Sequence, residues 1–492
     1  MNLCLSDIIL RAARNWPDAV AVIEPPHSIT YQQLDEKISA YAMGLVAFGL
    51  KKGERVGILA RNSIDFVTVY FAVSRAGGIS VALNYTLDIP ELVRQADGCS
   101  CSALAVEEYF EEKAKAVLMR TRSIRFLFNG TSRMPQKASC RFPTVKPDDA
   151  AAIVYTSGTT SKPLGVTLTH TNLIVNNQSI ARYTRLTSSD RVCCVLPLYY
   201  IYGLSLVLSH FLVGAAVILE NRFLYPNIAL ETIEQYGATG FAGVSSHYAI
   251  LLSLSDIKKR KLPSLRYFMQ AGDSMPEKIT RRLIALFPRK RVYRMYGQTE
   301  AAPRLTYLNP ALVRRKPTSV GRAIPGVRIK LVNGQGRECR AGETGEILAR
   351  GKNVMAGYWN NKRETSRALK GGWLHTGDMA YKDRDGDLYI VGRKEEFLKI
   401  GGRRVSPQEI ETIVREHPSV AEAAAVGVAD TILGQRIRLF VSVRSDKTFR
   451  KKEIIRYCRR RLPPYKIPFE MVVLKALPKN SLGKIDREKL GS

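Results

Sequence analysis

The segment Tyr155-Thr-Ser-Gly-Thr-Thr-Ser-Lys-Pro-Leu-Gly-Val166 gathers hydroxyls and glycines directly after an apolar run at 151–154. Glycine lets backbone N–H groups approach an anion closely, and Thr and Ser add hydroxyl donors, so such a loop can cradle phosphates. It lacks the G-x-x-x-x-G-K-[ST] spacing of a Walker loop, which excludes that reading and leaves an ordinary solvated turn as the bland alternative. Tyr296-Gly-Gln-Thr-Glu300 closes a second apolar run at 292–295. An aromatic ring at a strand's carboxyl end can stack on a base, and a carboxylate four residues on can hold Mg²⁺ against a phosphate. Gln270-Ala-Gly-Asp-Ser-Met-Pro276 also ends a strand pattern, and exposed backbone at Gly272 can read a base edge. In His375-Thr-Gly-Asp378 one carboxylate can accept from both hydroxyls of a ribose. Taken singly, each of these three segments also reads as a polar turn.

The elements that must hold these residues follow from the apolar pattern. Tyr31–Phe48 and Asp65–Arg75 carry helical spacing, while Arg55–Leu59 and Gly78–Leu83 read as short buried strands. From Ala151 to Leu308 the alternation resumes, with strands expected at 190–197, 217–219, 239–244, 266–270 and 292–295. Helices alternating with short buried strands imply a parallel α/β sheet. The stretch 113–149 is basic and less regular, and is expected to wind over the surface. Residues 321–388, rich in glycine and turns such as Asn333-Gly334, read as a β-rich subdomain. After Gly392 the composition shifts: residues 394–492 hold 22 Lys/Arg against 12 Asp/Glu. Helices at 407–416 and 451–461 and strands at 420–428, 437–443 and 470–474 make a separate small α+β domain.

A chain of 492 residues needs two or more cores. Lys+Arg 75 against Asp+Glu 44 gives a net charge of +31. That favours an anionic partner such as a nucleotide, coenzyme A, an acidic protein or a membrane surface, with a plainly solvated basic surface as the alternative. No helix-turn-helix, zinc-finger or RNA-recognition signature accompanies the charge, so nucleic acid is not expected. The most apolar stretch, Gly203–Leu219, is too short for a membrane span and is interrupted by His210; a helix stopped at Gly214 and a strand at 215–219 are expected instead. Peripheral membrane contact stays open. Eight cysteines make no disulfide framework, and Cys99-x-Cys101 and Cys193-Cys194 lack metal-ligand spacing, which fits a cytoplasmic setting.

The phosphate-type loop, the Gln270–Pro276 and Tyr296–Glu300 segments, His375–Asp378, Gly392-Arg-Lys-Glu395 with Lys399-Ile-Gly-Gly402, and Pro478-Lys-Asn-Ser-Leu-Gly-Lys-Ile-Asp-Arg487 occur in one order across the chain. In that order they closely resemble the motifs of the adenylate-forming superfamily, which comprises acyl-CoA synthetases, peptide-synthetase adenylation domains and luciferases. The look is nearest to the stand-alone acyl-CoA and acyl-carrier-protein ligases. The resemblance implies a large multi-sheet α/β N-terminal domain over 1–391, its β-rich subdomain at about 321–391, and a small mobile α+β domain over 392–492 with a hinge at Glu395. It implies that Thr156, Ser157, Gly158, Thr159, Thr160 and Lys162 wrap the ATP phosphates. Gly272, Asp273, Tyr296, Gly297 and Thr299 would hold the adenine side, with Asp378 and Arg393 on the ribose. Thr156 and Glu300 would hold Mg²⁺. Lys484 would serve adenylation. Lys399, with Gly401 and Gly402 along a thiol tunnel, would serve transfer to coenzyme A or a phosphopantetheine arm. Tyr200, Gly203, Gly243 and His247 would line the acyl pocket.

The implied reaction joins a carboxylic acid, fatty or aryl, to AMP and then to a thiol. Coenzyme A is the first expectation for that thiol; an acidic acyl-carrier protein suits the basic tail, and an inactive nucleotide-binding scaffold is the reading from another class. Three departures from the family pattern stand out. Leu164 replaces the lysine that usually follows Pro in the phosphate loop, with Lys162 two positions earlier. Tyr200 stands where many members carry His. Asn221-Arg-Phe-Leu-Tyr225 replaces the segment with which amino-acid-activating domains hold an α-amino group, so amino-acid activation is not expected.

Overall fold

The structure, a computed structural model, describes residues 3–129, 141–156, 163–400, 403–431, 433–444, 450–479 and 485–491, with backbone alone at 129, 395, 399, 403, 404, 488 and 491. Two compact units divide the chain: residues 1–329 with 349–374, and residues 330–348 with 375–492.

The first unit is built on two sheets. In the nine-stranded one, Val20–Glu24, Ala216–Leu219, Arg191–Cys194, Gly240–Gly243, Tyr267–Gln270 and Arg291–Tyr296 lie side by side and parallel. Short antiparallel strands extend it at both edges. Parallel neighbours need long crossovers, and the helices Ile201–Phe211, Pro226–Gln235, Ser245–Leu254 and Glu277–Leu286 supply them. Cys193, Phe241, Phe268 and Val292 bury the sheet against Tyr248, Leu251 and Leu283 of those helices. The seven-stranded sheet runs through Leu164–Thr169, Ala150–Thr156, Ile79–Ala82, Arg55–Leu59, Cys101–Val106 and Phe126–Asn129. These strands are nearly continuous apolar runs because both faces are covered.

Two expectations need adjustment. Residues 113–149 are not simply a surface winding: Glu111–Leu118 is a helix, and Phe126–Asn129 adds a parallel strand beside Cys101–Val106. Phe128 is buried there, edge-on to Tyr41 and Phe48. The apolar stretch 203–219 divides as expected into a buried helix ending at Phe211 and the strand Ala216–Leu219, with Gly214 at φ +75° between them. No helix among the described residues is long and apolar enough to cross a membrane.

In the second unit, residues 378–382 of the strand Trp373–Lys382 pair antiparallel with Leu388–Arg393. Further along, Val420–Asp430 pairs antiparallel with Gly434–Val443, which pairs parallel with Glu470–Leu474. Ser406 caps the helix Pro407–Arg415, accepting from Glu409 N, and Pro407 fills the first turn, where its missing N–H costs nothing. That helix and Lys451–Arg459 close a core of Ile410, Val414, Leu439, Val441, Ile454 and Cys458. Both units are mixed α/β, as expected from the sequence.

Candidate functional site

Register explains why the candidate residues of the first unit gather. Gly243, Gln270 and Arg294 are paired across three adjacent parallel strands. The segments leaving those strands therefore emerge together at the sheet's carboxyl edge, where open α/β sheets bind ligands. Gly243 leads to His247, Gln270 to Gly272 and Asp273, and Arg294 to Tyr296, Gly297, Thr299 and Glu300. Gly272 has φ +93°, and a Cβ there would lie 3.1 Å from Val244 Cγ1, so glycine both turns the loop and keeps its backbone bare. Asp273 Oδ1 accepts from Ser245 N at 2.8 Å, tying this loop to the start of the neighbouring helix. Buried Arg294 donates to Met275 O at 3.1 Å and Thr280 Oγ1 at 2.7 Å, bracing the loop from below. Gly297 admits no side chain: a Cβ would lie 1.9 Å from Pro303 O.

Thr156 ends its strand opposite Leu164, and its hydroxyl donates to Leu164 O at 3.4 Å. Ser157, Gly158, Thr159, Thr160 and Lys162 lie outside the described residues. The segment 355–358 links this hairpin to Glu300. Met355 N donates to Glu300 O, Ala356 N to Thr167 O, and Tyr358 pairs with Val166. The Tyr358 hydroxyl donates to Glu300 Oε1 at 2.9 Å. Thr156 and Glu300 thus belong to one hydrogen-bonded framework. A hydroxyl and a carboxylate are hard oxygen donors, the ligand chemistry that suits Mg²⁺.

On the other flank, Tyr199 and Tyr200 stack tilted with ring centroids 4.5 Å apart. The Tyr200 hydroxyl is buried and lacks a hydrogen-bond partner among the described residues. Burial, then its neighbour Tyr199, pushes that phenol far up, so it is a neutral donor rather than a titrating group. Gly203 is obligatory: a Cβ would sit 2.3 Å from Pro197 O. His247 Nδ1 accepts from Val244 N at 3.1 Å, and burial lowers the imidazole to about 4, so the ring is neutral near pH 7. Tyr202 donates to Met269 O at 3.0 Å and carries the Arg304 guanidinium over its ring, 4.0 Å from the centroid. Sequence reading did not single out Arg304 or Tyr358.

The second unit holds the ribose candidates. Asp378 and Arg393 face each other across paired strands, with Arg393 Nε 2.9 Å from Asp378 Oδ1. Thr376 Oγ1 accepts from Asp378 N at 3.1 Å and donates to Ile347 O at 2.8 Å, fixing the turn. Glu346, also missed, gathers Lys394 Nζ at 2.7 Å and His375 Nδ1 at 3.5 Å. Glu395 lies in the turn Lys394–Glu396 and Lys399 in the strand Leu398–Ile400, described by backbone alone. Gly401, Gly402 and Lys484 lie outside the described residues.

Residues 9–359 match the AMP-binding enzyme family, and residues 409–484 match the AMP-binding enzyme C-terminal domain. The chain is 32% identical over 498 residues to an indoleacetate–CoA ligase of Aromatoleum aromaticum, covering 98% of this chain and 97% of that protein. It is 30% identical over 531 residues to a long-chain-fatty-acid–CoA ligase of Escherichia coli O157:H7, covering 99% and 94%. Its fold superimposes on Bacillus subtilis o-succinylbenzoate coenzyme A synthetase in complex with ATP and magnesium ion, with TM-score 0.90, 28% identity and all of both chains covered. The chain belongs to the AMP-binding enzyme family.

Proposed function

We propose that this chain is an AMP-forming acid–thiol ligase, which activates a carboxylic acid as an acyl-adenylate and passes the acyl group to coenzyme A. The observation that carries the reading is the emergence of the Gly272 and Tyr296–Glu300 segments from adjacent parallel strands, with Glu300 bonded into the Thr156 hairpin through Tyr358. Relatives named as CoA ligases support coenzyme A as the acceptor over a carrier protein.

In the first half-reaction a carboxylate oxygen attacks the α-phosphorus of ATP. The bond to the bridging oxygen breaks, and pyrophosphate leaves. The work is positioning and neutralisation of charge. Tyr296 stacks the adenine, Gly272 lets backbone approach its edge, and Asp378 with Arg393 takes the ribose. The 156–160 hydroxyls and backbone, with Lys162, hold the phosphates. Glu300 and Thr156 offer oxygen ligands that fit Mg²⁺, which when bound neutralises phosphate charge. Lys484 pairs with the developing charge between carboxylate and α-phosphate. In the second half-reaction the thiol sulfur attacks the acyl carbon, AMP leaves, and the thiol proton passes to solvent. Lys399 serves this step, Gly401 and Gly402 leave room for the pantetheine arm, and Glu395 is the hinge between the two conformations.

Incubation with ATP, Mg²⁺, coenzyme A and a panel of fatty and aryl acids, read by mass spectrometry, tests the assignment. Equal amounts of acyl-CoA and AMP are expected. AMP formed without thioester would remove coenzyme A as the acceptor.

A further inference from the structure

Arg304 is 3% exposed, and its Nε has no hydrogen-bond partner. Among the described residues no carboxylate pairs with its guanidinium, and the Tyr202 side chain is its hydrogen-bonding neighbour. Its one side-chain contact of note is the Tyr202 ring beneath it. Other buried arginines in this unit also leave Nε without a partner but spend their terminal nitrogens: Arg75 on Asp35 and Ser39, Arg294 on Met275 O and Thr280. A guanidinium carries five donors and keeps its charge, so burying one without an anion is costly, and a cation–π contact offsets only part of that cost.

The position of this charge identifies what it faces. Tyr202 lies between Tyr200, whose hydroxyl is also buried and unpartnered, and Gly203, whose backbone packs on Pro197. Burial raises the Tyr202 phenol while the Arg304 charge pulls it down, as expected for close neighbours. The Arg304 backbone is pinned on both sides: its N–H donates to Asn176 Oδ1 at 3.2 Å, and its carbonyl accepts from Asn176 Nδ2 at 2.8 Å and Asn353 Nδ2 at 3.2 Å. Gly297, next to Tyr296, packs directly on the Pro303–Arg304 backbone. A rigidly held guanidinium therefore lies on the aromatic segment that flanks the acyl side of the site.

We propose that the acid this enzyme activates carries a second carboxylate, and that Arg304 binds it. This inference rests on the acyl-adenylate reading above. A guanidinium fork matches a carboxylate in two parallel hydrogen bonds, and the Tyr200 hydroxyl offers one more donor on the same flank. A monoacid of equal length leaves the guanidinium buried and unpaired, which is how a polar site rejects an apolar analogue.

The test compares ATP–pyrophosphate exchange for length-matched pairs, adipate against hexanoate and isophthalate against benzoate, in the wild type, Arg304→Leu and Arg304→Lys. The expected wild-type preference in kcat/KM for the diacid of the better pair is about 10², the scale of a desolvated charge pair. Arg304→Leu should reduce that preference to about one or reverse it with the KM for ATP unmoved, and Arg304→Lys, which keeps charge without the fork, should fall between. Strong exchange with no diacid preference in the wild type overturns this inference alone. A raised KM for ATP with equal losses on both acids overturns it too, by assigning Arg304 to the nucleotide. No exchange with any acid removes the adenylate reading and this inference with it. If Arg304→Leu does not fold, as judged by circular dichroism, the wild-type preference and Arg304→Lys decide.

Discussion

Glu300 shows how much of the proposed site depends on single atoms. One carboxylate oxygen accepts from the Tyr358 hydroxyl at 2.9 Å, which fixes the rotamer while the backbone carbonyl takes Met355 N. Glu300→Gln keeps the shape and removes the charge. It should raise the Mg²⁺ concentration needed for half-maximal adenylation by about tenfold and lower the rate by about 10², the scale of one lost preorganised electrostatic group. Circular dichroism should be unchanged. An Mg²⁺ titration that superimposes on the wild type would remove Glu300 from the metal site. Glu300 was legible in the sequence because it sits in a short motif after an apolar run. Tyr358 was not, because its partner lies 58 residues away and only the pairing of Gly357-Tyr358 with Thr167–Val166 brings the two together. Arg304 was illegible for the same reason: its partner is the ring of Tyr202, far away in sequence on the helix Ile201–Phe211.

At the scale of elements, the parallel strands could be read directly because they are short apolar runs closed by turn residues, as at Arg55–Leu59 and Tyr267–Gln270. The strand Phe126–Asn129 escaped notice because Arg122 and Arg125 precede it and make the segment look solvated. Arg125 in fact bonds Glu54 at 2.7 Å and leaves the aromatic residues to the core. The helix Leu5–Asn15 escaped because its cap is Cys4, not one of the usual capping residues. The aromatic segment 197–203 shows what an element demands of one residue. Gly203→Ala would set a methyl group 2.3 Å from the Pro197 carbonyl oxygen, and backbone yields less readily than a side chain. The expected cost is about 1–3 kcal/mol, read as a lower denaturation midpoint, with KM for the acid raised because Tyr200 and Tyr202 shift. Unchanged stability and KM would show that the segment tolerates the displacement.

The whole molecule carries a stability term that depends on pH. His170, His210 and His247 are all lowered by burial from 6.5 to about 4. His210 is held by Leu206 O at 2.8 Å and the Tyr267 hydroxyl at 3.1 Å, and His170 Nδ1 accepts from Leu5 N at 3.1 Å. In the unfolded chain each would take a proton near its ordinary value; in the folded protein each resists. Above that value the three cost nothing, and as pH falls from about 6.5 towards 4 each withdraws up to about 3 kcal/mol. The urea midpoint should therefore drop steeply between pH 7 and pH 5, and His210→Gln should flatten that drop by about a third. A midpoint constant over this window would contradict neutral burial of these rings.

Acid activation through an adenylate is what the first unit's sheet edge is proposed to perform, and exchange of labelled pyrophosphate into ATP measures that step without any thiol. With Mg²⁺ present, label should enter ATP only when a carboxylic acid that the pocket accepts is added, and should do so in the absence of coenzyme A. Folded protein that binds ATP yet exchanges no label across fatty, aryl and dicarboxylic acids would contradict the assignment.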